Sequence, residues 1–265
     1  MYLEKKLTPI VSVIMPAWRA FQSIDRAIKS VYDQNLQEPF ELIIVDDGSD
    51  DNNRTWQKIQ SWQRTAHGHP FLSIKSLQLT RNSGPGTARR AAMELSSGEY
   101  VCYLDTDDEF FESRILGGLR TLRSDPELDI VLSPYKITDG TSVSVYNPTF
   151  ILSKVAELLQ AQNISIPLGV MHTRKIYSKT SGWPQYVVCG EDGILWRRMS
   201  EQGAKFGVCS FMAGIYHIRV KGQSRTQRRF DSGMAFAFDN QNSNGSNGQY
   251  LDNLTDEQLT QFFES

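Results

Sequence analysis

The sequence predicts an α/β fold with a mainly parallel central sheet flanked by helices on both faces. Three observations carry that reading. Short apolar, β-branched or aromatic runs alternate with stretches whose apolar residues recur at helical spacing. Strand, helix, strand in this order implies parallel pairing through right-handed crossovers. Polar clusters at Pro16–Arg19, Asp46–Ser49, Arg81–Gly86 and Asp105–Glu109 each follow a predicted strand. Ligands in open sheets bind beyond the carboxyl ends of strands, so these clusters should converge on one edge of the sheet.

Each element has its own signal. Ile10 to Met15 is a β-branched run stopped by Pro16, hence a buried strand. Ser23 is placed to cap a helix carrying Ile24, Ala27, Ile28 and Val31. Glu41 to Val45 is a second buried strand, after which Trp56, Ile59 and Trp62 recur as one helical face. Leu72, Ile74, Leu77 and Leu79 suggest a third strand region. Ala88, Ala91, Ala92 and Leu95 mark a helix that Gly98 is placed to end. Tyr100 to Leu104 is the next strand, then a helix through Ile115, Leu116, Leu119 and Leu122, then a strand at Asp129–Leu132.

After about Thr138 the regular alternation is lost. Thr141–Tyr146 reads as a short strand or hairpin arm, Phe150–Leu159 as a helix and Pro167–Thr173 as a strand. Glu191 to Gln202 reads as a helix with Gly203 past its end, and Phe206–Cys209 as a last strand. Residues 231–265 read as a flexible linker, rich in Asn, Gly and Ser, and a short helix opened by the capping box Thr255–Gln258.

Bulk properties exclude some classes. With 265 residues, 40% hydrophobic and 22% charged, the chain can bury a substantial core. A net charge of −2 gives no support for a nucleic-acid binder. The odd count of three cysteines, with Cys102 in a strand-like run, fits reduced thiols in a cytosolic protein. The amino terminus lacks a signal-peptide core, and no run approaches the roughly 18 apolar residues of a membrane span. The expectation is a soluble, cytoplasmic protein, with peripheral membrane contact left open and no reading of its oligomeric state.

The chemistry concentrates after Leu104. Asp105 and Asp107, two apart on an extended chain, face one spot beyond the strand. A hard divalent cation, Mg²⁺ or Mn²⁺, would relieve their repulsion, taking one or two carboxylates and filling its other positions with water and phosphate oxygens. The competing reading is an acidic turn entering a helix. Further along, Glu191 and Asp192 open a helix, and Lys221, Arg225, Arg228 and Arg229 form the clearest basic cluster.

Five segments in order resemble the family 2 glycosyltransferases, inverting sugar transferases with the GT-A fold. They are Val11–Trp18, Glu41–Ser49, Arg81–Gly84 with Ala88–Arg89, Gly98–Asp108 and Gly190–Trp196. The resemblance spans roughly residues 8–220 and is strongest in the first half. It implies one GT-A domain over 1–230, with a Rossmann-like nucleotide-binding half at about 8–135 and a smaller acceptor-binding half at about 136–230.

Position by position, the resemblance places Pro16, Ala17 and Trp18 on the nucleotide side, with Trp18 near the base or else a core anchor. It gives Asp47 to the base and makes Asp46 structural. Arg81 or Arg89 meets the nucleotide or diphosphate, or remains a solvated helix charge. Asp105, with Thr106, reaches the ribose or metal, and Asp107 binds the metal. Asp108 and Glu109 cap the next helix. Asp192, beside Glu191, is the base that takes the acceptor proton. A helix start favours its charged form, whereas burial beside Glu191 opposes it. His217 is a third candidate metal ligand, although Arg219 stands where the family's histidine often falls. Arg225 and Lys221 are candidates for a segment closing over the diphosphate, and Trp183 and His172 for acceptor contacts.

The implied partners are a nucleotide-diphosphate sugar, with UDP the expected nucleotide, and a glycan or lipid-linked acceptor. A sugar nucleotidyltransferase or a dehydrogenase would need a Gly-rich loop after the first strand, where this chain has Met15–Arg19. A non-catalytic nucleotide-sugar or glycan binding module is the other alternative. A processive synthase is disfavoured, since no Gln-x-x-Arg-Trp element is present.

Overall fold

The computed structural model describes residues 8–150, 166–185, 187 and 190–218. All but the first residue of the predicted helix at Phe150–Leu159, the basic cluster with Lys221 and Arg225, and the C-terminal linker and helix lie outside the described residues.

The elements in chain order are β1 (Val11–Ala17), α1 (Ile24–Tyr32), β2 (Phe40–Asp46), α2 (Arg54–Thr65), β3 (Leu72–Gln78), α3 (Pro85–Leu95) and β4 (Tyr100–Tyr103). They continue with β5 (Glu109–Phe110), α4 (Arg114–Ser124), β6 (Ile130–Leu132), β7 (Tyr135–Thr138) and β8 (Val143–Tyr146). After these come β9 (Val170–Thr173), α5 (Arg174–Ser178), α6 (Glu191–Glu201), β10 (Phe206–Val208) and β11 (Gly214–His217).

Seven strands form the main sheet in the order β10-β6-β9-β4-β1-β2-β3. All pairs are parallel except those of β9, which runs antiparallel between β4 and β6. The apolar runs of β1 and β2 are buried on both faces, as strands covered by helices must be. Side chains of β2 alternate between two cores. Leu42 and Ile44 pack with Ile28 of α1, Ile59 of α2 and Leu119 of α4 on one face. Ile43 and Val45 pack with Ala92 of α3, Ile176 of α5 and Leu195 of α6 on the other. Full burial of each such side chain is worth about 1.5–3 kcal/mol, so the paired layers dominate the stability.

The chain runs outward through β2 and β3, then crosses back to place β4 on the other side of β1. The strand order therefore reverses between β1 and β4, and a crevice opens beyond their carboxyl ends. A four-stranded sheet, β5-β11-β7-β8, stands beside that edge. Tyr135, Ile137, Tyr146 and Tyr216 attach it to the first core.

Several elements differ from expectation. Pro16 does not stop β1, which continues to Ala17. Pairing with β4 ends at Ile14–Tyr103, so the last residues of β1 have only β2 beside them, an edge position that tolerates proline. Ser23 precedes α1, but its hydroxyl makes no cap bond to the helix. Gly98 does not terminate α3, which ends at Leu95. It is small because a Cβ there would lie 2.6 Å from the Ser12 amide nitrogen. Asp108 and Glu109 do not cap α4, whose N-cap is Ser113.

His172 and Trp183 were expected near an acceptor; both are fully buried. The His172 ring lies 2.6 Å from the Tyr103 hydroxyl, and the Trp183 indole donates to that same oxygen at 3.3 Å. Neither presents a surface to a ligand. Burial lowers the His172 pKa to about 4, against a smaller opposing effect from the Thr173 carbonyl. The unfolded chain then binds a proton that the fold refuses, so stability falls as pH drops from 6.5 to about 4 and levels off below. The shift corresponds to about 3 kcal/mol. A His172→Gln variant should show a flatter melting temperature over that pH window than the parent.

Candidate active site at the strand carboxyl ends

The loops after β1 and β2 form one wall of the crevice. Asp46 accepts from the Ser49 amide and hydroxyl through Oδ1, and from the Gln78 amide group through Oδ2. These bonds shape the turn in which Gly48 takes φ +61°. A Cβ on Gly48 would lie 2.4 Å from the Arg81 carbonyl carbon, so the β2 and β3 loops touch there. Asp47 is buried, and its two carboxylate oxygens accept from the Ser83 and Gly84 amides at 2.8 Å each. It thereby fixes the loop that starts α3.

On the β1 side, Pro16 and Trp18 are half-buried and Ala17 is buried. Trp18 belongs to neither core, and the Arg19 guanidinium lies 4.7 Å from its ring centroid. Arg19 also pairs with Asp50, joining the β1 and β2 loops. Arg81 is exposed at the opposite end of this wall.

The acidic motif forms the floor. Exposure alternates along it: Asp105, Asp107 and Glu109 are half-exposed, while Thr106, Asp108 and Phe110 are buried. The motif is a turn, not the extended chain its spacing suggests. β4 ends at Tyr103, and the Asp108 amide donates to the Asp105 carbonyl at 3.1 Å across Thr106 and Asp107, leaving Asp105 and Asp107 both half-exposed. Asp108 accepts from the His217 amide at 3.0 Å. Burial first, then the charges of Asp107 and Asp105, push its carboxyl well above the usual carboxylate range. Arg26 donates to the Asp107 carbonyl. The His217 ring sits 3.0 Å from a Glu109 carboxylate oxygen, so β11 presents it to β5.

This donor set suits a hard divalent cation. The half-exposed carboxylates of Asp105 and Asp107 lie two residues apart just beyond β4, and a Mg²⁺ or Mn²⁺ site needs only one or two of them. Among the described residues, no group of three or more His, Cys, Asp or Glu side chains is preassembled to hold a metal ion.

Arg89 links the floor to the far wall. The sequence leaves it between a nucleotide or diphosphate contact and a solvated helix charge; it is 2% exposed, inside the protein. One terminal nitrogen donates to Asp105 at 2.7 Å and the other to Glu191 at 2.8 Å. Its carbon lies 4.9 Å from the Trp183 ring centroid. Burial alone would weaken its charge, but Asp105 and Glu191 outweigh burial and raise its pKa above the ordinary arginine value. A charged residue on the buried stripe of Gly86, Ala88, Ala92 and Met93 was the signal for this internal pair.

Glu191 and Asp192 begin α6 behind Gly190, which takes φ +79°. Asp192 is half-exposed, and its Oδ1 accepts from the Gly193 amide at 2.9 Å. The first turns of α3 and α6 meet closely. A Cβ on Gly86 would lie 2.2 Å from the Pro184 carbonyl oxygen and 3.5 Å from the Glu191 Cβ. Gly86→Ala should therefore destabilise by about 1–3 kcal/mol, although alanine is the better helix former. Urea unfolding checks this; a stabilised variant would contradict the close approach.

The chain matches the family described as Glycosyl transferase family 2 over residues 12–180. It belongs to that family, and its architecture is the GT-A fold. An uncharacterized glycosyltransferase from Rickettsia bellii is 26% identical over 219 residues, covering 82% of this chain and 29% of the relative. The poly(ribitol-phosphate) beta-N-acetylglucosaminyltransferase TarP of Staphylococcus aureus is 32% identical over 149 residues, 56% of this chain and 42% of TarP. The chain thus spans less than half the length of these curated relatives. The crystal structure of S. aureus TarS 1-349 in complex with UDP-GlcNAc superposes with a TM-score of 0.66 at 22% identity, covering 79% of this chain and 59% of that one. The mannosyltransferase PcManGT from Pyrobaculum calidifontis, in complex with GDP-Man and Mn²⁺, gives 0.60 at 18% identity, with 82% and 59% covered. Among the described residues, no helix is long and apolar enough to cross a membrane.

Proposed function

We propose that this chain is an inverting glycosyltransferase that moves a sugar from a nucleotide-diphosphate donor, a UDP-sugar, to a hydroxyl of a glycan or lipid-linked acceptor. The observation that carries the reading is the Arg89 bridge. Asp105 after β4 and Glu191 at the start of α6, far apart in sequence, meet on one buried guanidinium, which supports a single acidic site with Asp192 next to it in α6.

In this reading the β1 loop with Pro16, Ala17 and Trp18 receives the nucleoside, and exposed Arg81 meets its phosphates. Asp47 acts by holding the Ser83–Gly84 loop. Asp107, with the Asp105 oxygen not bonded to Arg89, would hold a divalent cation. The cation, when bound, stabilises charge on the departing diphosphate as a Lewis acid. His217 supports this site by fixing Glu109 and Asp108.

Asp192 takes the proton of the acceptor hydroxyl as that oxygen attacks the anomeric carbon. The bond to the diphosphate breaks, and its electron pair leaves with the nucleoside diphosphate. One displacement inverts the anomeric centre. The UDP donor is favoured by the UDP-GlcNAc complex of the TarS neighbour, while the GDP-Man complex of PcManGT makes the donor base the first variable to test. We place the reaction in the cytoplasm, with residues of about 8–135 serving the donor and about 136–230 the acceptor.

The test incubates the chain with UDP-, GDP- and dTDP-sugars, with and without Mn²⁺, and measures nucleoside diphosphate release. Slow release without acceptor, faster for one donor and dependent on the cation, is expected. No release from any donor, with no thermal shift on nucleotide addition, would sink the assignment.

A further inference from the structure

We infer that Arg89 is a positioning residue that sets the distance between the donor end of the crevice and the Asp192 carboxylate. The inference rests on the reading of Asp192 as base. Asp105 is tied to β4, at the centre of the main sheet, and Glu191 is the first residue of α6. The guanidinium holds one carboxylate with each terminal nitrogen, so its rigid plane fixes their separation. Asp192 follows Glu191 in the same helical turn and takes its place from that separation.

Stability does not account for the arrangement. A buried Arg–carboxylate trio is often no better than an apolar packing of the same volume. Here the Arg89 Nε is buried without a hydrogen-bond partner among the described residues, and a buried donor left unpaired costs about 1–3 kcal/mol. Trp183 backs the guanidinium and Pro184 abuts the first turn of α3, so the group has little freedom to swing away. A charged strut held between the two acidic motifs is suited to keep geometry.

A positioning role has a distinct kinetic signature. Misplacing a reacting group by about 1 Å can cost roughly 100-fold in rate with little effect on ground-state binding. Arg89→Gln and Glu191→Leu should each lower kcat for transfer by about 10- to 100-fold. In the Glu191 variant, which leaves the Arg89–Asp105 contact in place, the donor KM and the Kd for nucleoside diphosphate with Mn²⁺ should stay within about threefold of the parent. Because the two variants share the Arg89–Glu191 contact, the double variant should be no slower than the worse single variant. Arg89→Lys, able to hold only one carboxylate well, should recover part of the loss.

Three results would overturn the inference: losses that multiply in the double variant, losses in the Glu191 variant that appear in donor KM and nucleotide Kd, or full activity in both singles. The second would return Arg89 to the donor-contact role that the sequence leaves open. If Arg89→Gln fails to fold, Glu191→Leu alone decides, since it leaves the arginine in place but removes its acceptor on α6, and an unchanged kcat refutes the strut. A parent chain that binds and turns over no nucleotide sugar would refute the proposed function itself, and this role with it. That outcome is read on the parent before any variant is made.

Discussion

Replacing Asp192 by asparagine is expected to lower the rate of sugar transfer by about 10²–10⁴-fold while leaving nucleotide binding intact, the range for loss of a general base. Geometry makes the substitution clean. The Asp192 Oδ1 accepts from the Gly193 amide at 2.9 Å, and an asparagine oxygen can keep that bond. The side chain is half-exposed at the start of α6, so the isosteric change buries no new polar group. What is lost is the ability to accept a proton from the attacking hydroxyl. The donor side is built from other residues, so Kd for nucleoside diphosphate should hardly move. Transfer retained within about threefold of the parent would remove Asp192 as the base, leaving the fold untouched.

Much of this architecture was legible in the sequence because its strongest signals are local. β1, β2 and β4 are buried on both faces and read as continuous apolar runs. The helical stripe of α1 matches its buried residues, and in α4 Ile115, Leu119 and Leu122 are buried while Leu116 is half-buried. Failures arose where tertiary partners decide. Pro16 reads as a strand breaker until β4 is known to stop short of it. Gly98 reads as a helix terminator until Ser12 is known to lie against it. β5, with two residues, has no periodicity to detect and exists only because β11 pairs with it.

The acids of the site were legible because Asp105, Asp107, Glu191 and Asp192 stand in short motifs with their own chemistry. Their link was not. Arg89 reads as a helix-face cation, and only the burial of Ala88, Ala92 and Met93 around it gives away a guanidinium turned inward. Trp183 and His172 carry polar groups that suggest ligand contact. Their partner is Tyr103, remote from both in sequence and visible only in three dimensions.

Asp107→Asn should produce opposite effects in the free and nucleotide-bound protein, and that crossing is the sharpest test of the donor site. In the free protein, Asp107 adds to the charge that, together with burial, drives the Asp108 carboxyl well above its usual range. Asparagine removes that repulsion, so the free variant should melt no lower than the parent. With nucleoside diphosphate and Mn²⁺ at about 100 times Kd, the parent should gain about 2.7 kcal/mol. For a chain of this size that is a rise of roughly 5–10 °C. The variant lacks the carboxylate proposed as principal ligand and should lose most of the rise, as should the parent in EDTA. Asp105 cannot take over fully, because Arg89 holds one of its oxygens at 2.7 Å. An equal thermal shift in parent and variant would mean that nucleotide binding does not pass through Asp107.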